Sequence, residues 1–208
     1  MHGFFEVYGS SPFMWLNTAV SAFALAIIVY RTLALMKYQV NGQKFMQNVE
    51  KYVLSNDLNQ AINHCSTSSA PLSTVVKSGL IKANQGPMAV SMGLDEATLQ
   101  VTPKVEKGVN SLWSIANIAT LVGLIGTIWG LILSFSGLSV ATPEQRATLL
   151  GAGIAEALYN TAFGLLIAVT CIFAHMVLSG IAKGILSEID YSSSRLENLL
   201  MIRSDSGK

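Results

Sequence analysis

Three long apolar stretches, separated by polar ones, set the pattern of this chain. The first occupies about 13–36, with the run Leu16 to Tyr30 at its centre and Arg31 near its far edge. The second carries no charged residue from Gly108 to Pro143. The third, Ala147 to Ala182, has Glu156 and His175 as its ionisable residues. Stretches of this length and polarity predict membrane-spanning helices. Read along the chain, they predict an extracytoplasmic segment over 1–12, spans at 13–36, 108–138 and 148–182, a short outer loop at 139–147 and a tail at 183–208.

The polar stretch between the first and second spans, 37–107, also has helical spacing. Phe45, Val49, Val53 and Leu54 recur at helical intervals, as do Ala61 and Ile62 after a break at Ser55-Asn56-Asp57. Ser66 to Pro71 and Gly86-Pro87 predict further breaks. Val90, Leu94, Ala97, Val101 and Val105 then predict a helix leading into the second span, with Pro103 as a candidate kink. Ile185, Ile189, Leu196 and Leu199 extend helix into the tail. The predicted fold class is therefore an all-α membrane protein with three transmembrane helices, the second and third long enough to extend into a helical cytoplasmic region. An uncharged helix as long as the second stretch reaches roughly 50 Å, against a hydrocarbon core of about 30 Å.

Composition agrees: 51% of the 208 residues are hydrophobic and only 12% charged, where soluble domains carry roughly 25%. The placement of basic residues adds orientation. Lys37, Lys44, Lys51, Lys77, Lys82, Lys104 and Lys107 lie between the first and second spans, and Lys183, Arg195, Arg203 and Lys208 in the tail. The positive-inside rule puts both regions in the cytoplasm and the N-terminus outside. Residues 1–12 contain no Lys or Arg, so the first span is read as permanent and not as a cleaved signal. Arg31 is placed to snorkel toward the interface. Cys65 and Cys171 fall in separate regions and predict neither a disulfide nor a redox site.

Function has to be sought inside the membrane. On the second span, Ala116, Thr120, Gly123, Thr127, Gly130 and Ser134 form one stripe of small and hydroxyl side chains. On the third, Ala157, Thr161, Gly164, Ala168 and His175 do the same. Gly126 and Gly130 form a GxxxG pair, and the glycines are read as helix-packing residues. For Thr127, a bond back to its own helix and a role in an ion path both stand. Thr127 and Thr161 fall near mid-membrane on neighbouring helices. Glu156, the carboxylate of the spans, lies about 140° around the helix from Thr161, on the Asn160 face. Cation handling and structural pairing with Asn160 are equally weighted for it. His175 is read as an interhelical hydrogen-bonding residue.

The runs Gly123-Leu-Ile-Gly-Thr-Ile-Trp-Gly130, followed by Phe135, and Gly153-Ile-Ala-Glu-Ala-Leu-Tyr-Asn-Thr-Ala-Phe-Gly164 closely resemble the paired signatures of the ExbB/TolQ/MotA family. Three spans and the form of the second-span motif resemble ExbB and TolQ more than MotA. The resemblance implies a homopentamer in the bacterial inner membrane around two copies of an ExbD/TolR-type single-span partner, which supplies the proton-binding aspartate. It implies that Thr127 and Thr161 line the pore and that Glu156 is the third-span glutamate. No cofactor is implied, and the transported ion is H+. The output implied is work on a TonB/TolA-type effector or a gliding machinery. Tyr159-Asn160 departs from the small or aliphatic residues common before that threonine in ExbB.

A non-conducting membrane scaffold is the alternative from a different class. No nucleophile and base pair, metal-ligand cluster or phosphate-binding loop is present in the sequence, which speaks against an enzyme. A net charge of +1 without a basic stripe speaks against nucleic-acid binding.

Overall fold

A computed structural model describes residues 11–139 and 142–206. Most of the segment 1–12, part of the predicted outer loop and the end of the tail lie outside the described residues. The order is α1 (Pro12–Tyr38), α2 (Gly42–Leu54), α3 (Leu58–Ser66), α4 (Pro71–Ile81), a 3-10 turn (Ala83–Gln85), α5 (Pro87–Glu106), α6 (Val109–Gly137) and α7 (Pro143–Ser206). The described residues are all-helical, and three helical stretches are long and apolar enough to cross a membrane. By contact the chain divides into two units.

The first unit takes the chain up to Tyr30 together with Gly108–Val177, and so contains the three apolar stretches. Its outward surface is oily: Phe23, Ile128, Phe135, Leu158, Leu166 and Val169 are each more than half exposed. A soluble protein does not expose apolar surface on this scale, so lipid and neighbouring protein must cover it. The faces that α6 and α7 turn inward carry small residues instead, Ala116, Ala119, Gly123, Gly126 and Gly130 among them. With no hydrophobic drive between helices in lipid, close contact of small residues supplies the packing.

The second unit is Arg31–Lys107 with the chain from Leu178 onward. It is an ordinary amphipathic bundle. Phe45, Val49 and Val53 of α2 are buried, and so are Val90, Leu94, Ala97, Val101 and Val105 of α5. Leu54 departs from the predicted apolar face and is 68% exposed, since it closes the last turn of α2 where the chain leaves for the next helix. Side-chain caps mark the starts: Asn41 accepts from the Lys44 amide at 3.1 Å, and Asp57 from the Gln60 amide at 3.0 Å. Pro71 and Pro87 occupy first helical turns, where a missing N–H costs nothing. Glu50 and Arg195 pair at 2.6 Å between α2 and α7. Burial pushes the Cys65 thiol up to about 11, against a smaller opposing pull from Lys77.

Three expectations are corrected here. Helix α5 runs through Pro103, and the break falls at Gly108, whose φ of 77° is the left-handed geometry that ends helices. Arg31 does not snorkel. It is 3% exposed and its guanidinium donates to the Lys104 carbonyl at 3.3 Å and to the Val105 carbonyl, both in the last turn of α5. Those carbonyls have no helical donor left, so the cation satisfies them and the negative end of the helix dipole together. Third, residues 143–147, predicted as loop, already belong to α7.

Candidate functional site

Helices α6 and α7 cross antiparallel, and their register can be read from what added methyl groups would meet. At Gly123 a Cβ would lie 3.0 Å from the Asn160 carbonyl oxygen and 3.3 Å from the Thr161 Cα. At Gly130 it would lie 3.2 Å from the Ala157 Cα, and at Gly164 2.6 Å from the Ala119 carbonyl oxygen. At Gly126 it would lie 2.9 Å from the Asn160 Cβ. Gly153 faces Ser134, whose hydroxyl occupies the place a side chain would need. The packing role given to Gly123, Gly126, Gly130 and Gly164 is thus a matter of backbone approach: each removes a methyl that the neighbouring helix would strike.

That approach brings two hydroxyls together. Thr127 Oγ1 and Thr161 Oγ1 each stand 3.1 Å from the Gly123 carbonyl oxygen, and they also contact one another. Two hydroxyl protons serve three contacts, so the pair always keeps unused lone pairs and can exchange donor and acceptor roles without moving a heavy atom. Both threonines are half-buried, at the margin of the crossing and not sealed within it. The Thr127 hydroxyl thus bonds its own helix and also meets Thr161 across the crossing.

The other candidates are placed as follows. Ser134 is buried and donates to the Gly130 carbonyl at 2.6 Å. His175 Nδ1 lies 2.9 Å from the Val109 carbonyl, with its ring tilted against Trp113 at 6.1 Å, an interhelical contact as expected. Glu156 is half-buried. Asn160 is 2% exposed, and its side-chain oxygen accepts from the Ser11 hydroxyl at 3.0 Å.

Ser11 is one of several residues that sequence reasoning left out. Phe13 lies beside Gly126 and tilts against Trp129 at 6.3 Å, and Asn17 lies beside Gly164. The first helix therefore packs on the same crossing. Its signal was present as polar interruptions in an apolar span: Asn17 is fully buried, and Ser21 follows one turn later.

A family model described as the MotA/TolQ/ExbB proton channel family matches residues 65–191, more than half of the chain and all of this crossing. The chain belongs to that family. Among curated relatives, a biopolymer transport protein described as ExbB-like 3, from Synechocystis, is 28% identical over 161 residues, which is 76% of this chain and 77% of that protein. The ExbB of Pseudomonas putida is 32% identical over 49% of this chain, and the TolQ of Pseudomonas aeruginosa 40% identical over 35%. The matched parts make up only 30% and 31% of those two proteins. The solved structure of C. jejuni MotAB aligns with 95% of this chain and 80% of that one, at 12% identity and a TM-score of 0.46. Family membership thus stands on the matched sequence, and a proton channel family fits three apolar helices whose crossing carries hydroxyls.

Proposed function

We propose that this chain is the ion-conducting ring subunit of an inner-membrane motor that converts proton motive force into mechanical work. The observation that carries the reading is the convergence of the Thr127 and Thr161 hydroxyls on the Gly123 carbonyl. Hydroxyls at the edge of a helix crossing in the membrane offer a polar wall past which a neutralised carboxyl can travel. In this reading five copies surround two helices of an ExbD/TolR-type partner, as the resemblance implies, and the partner's aspartate carries the proton. The N-terminus lies outside and the C-terminus in the cytoplasm. Glu156 sits toward the outer side of the threonines and serves proton entry. The relatives' names, ExbB and TolQ, support a biopolymer transport or Tol-Pal type of output, delivered to a TonB/TolA-type effector or to a gliding machinery. One charge crossing 100 mV releases about 2.3 kcal/mol, so a large movement takes several protons.

A non-conducting scaffold is the second reading. It is favoured by the bond from Thr127 to its own helix, which a purely structural threonine would also make. Proton uptake by liposomes holding the chain and its partner separates the two. The motor reading expects Thr161→Val to assemble normally and lose uptake; equal uptake by wild type and variant contradicts it.

A further inference from the structure

Two stripes of the second unit expose large apolar side chains. On α5, Met88, Met92 and Leu99 are each more than half exposed. At about 100° per residue they fall opposite the buried stripe of Val90, Leu94, Ala97 and Val101. On α7, Tyr191 and Ile202 are each more than half exposed and Asn198 is exposed with them, opposite buried Ile189, Leu196 and Leu200. Both stripes thus point away from one shared core, and they cannot meet within one copy. Both also lie on charged, polar stretches of sequence outside the apolar spans, where lipid tails do not cover them.

Their levels along the bundle match. Val90 and Pro87 share a groove with Leu200 and Met201, while a methyl added at Gly79 of α4 would meet the ends of both Leu94 and Leu196, at 2.7 and 3.1 Å. Residue numbers therefore rise along α5 as they fall along α7, and the two helices are antiparallel. Counting from those pairs at equal rise puts Met88 level with Ile202, Met92 with Asn198 and Leu99 with Tyr191, to within about one turn. The stripes are also equal in length, each spanning about 16 Å. Their chemistry is complementary. Asp95 and Glu96 are exposed on the α5 stripe, at the level of the Ser194 hydroxyl and the Arg195 guanidinium of α7. Glu96 also pairs with Lys82 at 3.3 Å, and Arg195 with Glu50 at 2.6 Å, yet each keeps exposed surface for a second partner.

We propose that the α5 stripe of one copy docks on the α7 stripe of the next, and that this contact links the subunits of the ring outside the membrane. Rotation about an axis along the helices leaves every atom at its own level, so one copy can present to the next only what lies at the same level. A face that meets a different face of its neighbour closes a ring instead of a pair. A second copy is also the occupant that covers both stripes at once. The contact rests on the reading of this chain as a ring subunit; it does not rest on proton passage.

The test uses the full chain, reconstituted with its ExbD/TolR-type partner in phospholipid bilayers and treated with a bismaleimide that spans about one and a half turns of helix, roughly 8 Å. Wild type, whose Cys65 and Cys171 are buried, is the blank. Met92→Cys with Asn198→Cys in one chain should give cross-linked dimers and higher bands, and so should Leu99→Cys with Tyr191→Cys. Met88→Cys with Tyr191→Cys, about 16 Å apart in level, should give about tenfold less product. All these positions are on the surface, so the variants should assemble to the wild-type size. Ring-sized complexes in which neither level pair cross-links overturn the proposal. Dimers formed by Met92→Cys alone, which bring like faces together, overturn it as well. A chain that stays monomeric beside its partner overturns both the contact and the ring-subunit reading. Cross-linked rings that pass no protons contradict the proposed motor and leave the contact standing.

Discussion

Thr127 and Thr161, 34 positions apart in the chain, share one acceptor, the main-chain oxygen of Gly123. Groups that share a partner do not contribute independently. Thr161→Val should cost about 0.5–1.5 kcal/mol, since Gly123 keeps its other donors. A double-mutant cycle with Thr127→Val should return an interaction energy of about 0.5 kcal/mol or more. Thermal unfolding of the detergent-solubilised chain measures both, and strict additivity would mean that the two hydroxyls act separately.

Glycines of α7 differ in what they do. A methyl at Gly164 would stand 2.6 Å from the Ala119 carbonyl oxygen, which is backbone and cannot step aside, while nothing lies within 4 Å of one at Gly180. Gly164→Ala should destabilise by about 1–3 kcal/mol through forced helix separation. Gly180→Ala should be neutral or stabilise by up to about 1 kcal/mol through helix propensity. Unfolding midpoints of the two variants, compared in one detergent, should move in opposite directions or only for Gly164.

Arg31 holds the end of α5 by donating to the Lys104 and Val105 carbonyls. Arg31→Met keeps the length of the side chain and removes the donors, leaving buried carbonyls bare. The expected cost is about 1.5–3 kcal/mol, the range for bonds to a charged group. Hydrogen exchange should rise in the last turn of α5 before it rises elsewhere. Unchanged protection there would show that the guanidinium is dispensable.

Cys65 has its thiol raised from the ordinary 9.0 to about 11 by burial. The folded chain therefore holds this proton more tightly than the unfolded chain does. The contribution to stability is complete below pH 9 and is lost as pH climbs toward about 11. Wild type should lose thermal stability across that window, and Cys65→Ala should lose less. At neutral pH the thiol should alkylate far more slowly than a free cysteine, because the thiolate is the reactive form.

The parts legible in the sequence were those carried by local periodicity. The stripe of Gly123, Thr127, Gly130 and Ser134 could be read from spacing alone, because in lipid small residues mark the faces that meet. The breaks at Asn56 and Gly86 were likewise written in residues that tolerate positive φ. What spacing could not give was the partner of a lone polar residue. Arg31 looks like an interface cation from its own neighbours and becomes a helix cap only through Lys104 and Val105, more than seventy positions away. Ser11 meets Asn160 across 149 positions. Pro103 is the candidate kink in the sequence, yet the helix continues through it to Glu106, and the chain takes its left-handed turn at Gly108.

Proton uptake into liposomes containing the chain and its ExbD/TolR-type partner, under an imposed pH gradient and voltage, tests the central claim most directly. Wild type should take up protons only when the partner is present, and Thr161→Val should assemble to the same size and lose uptake by about tenfold or more. Equal uptake by an equally assembled Thr161→Val complex would contradict the assignment of the threonine pair to the ion path.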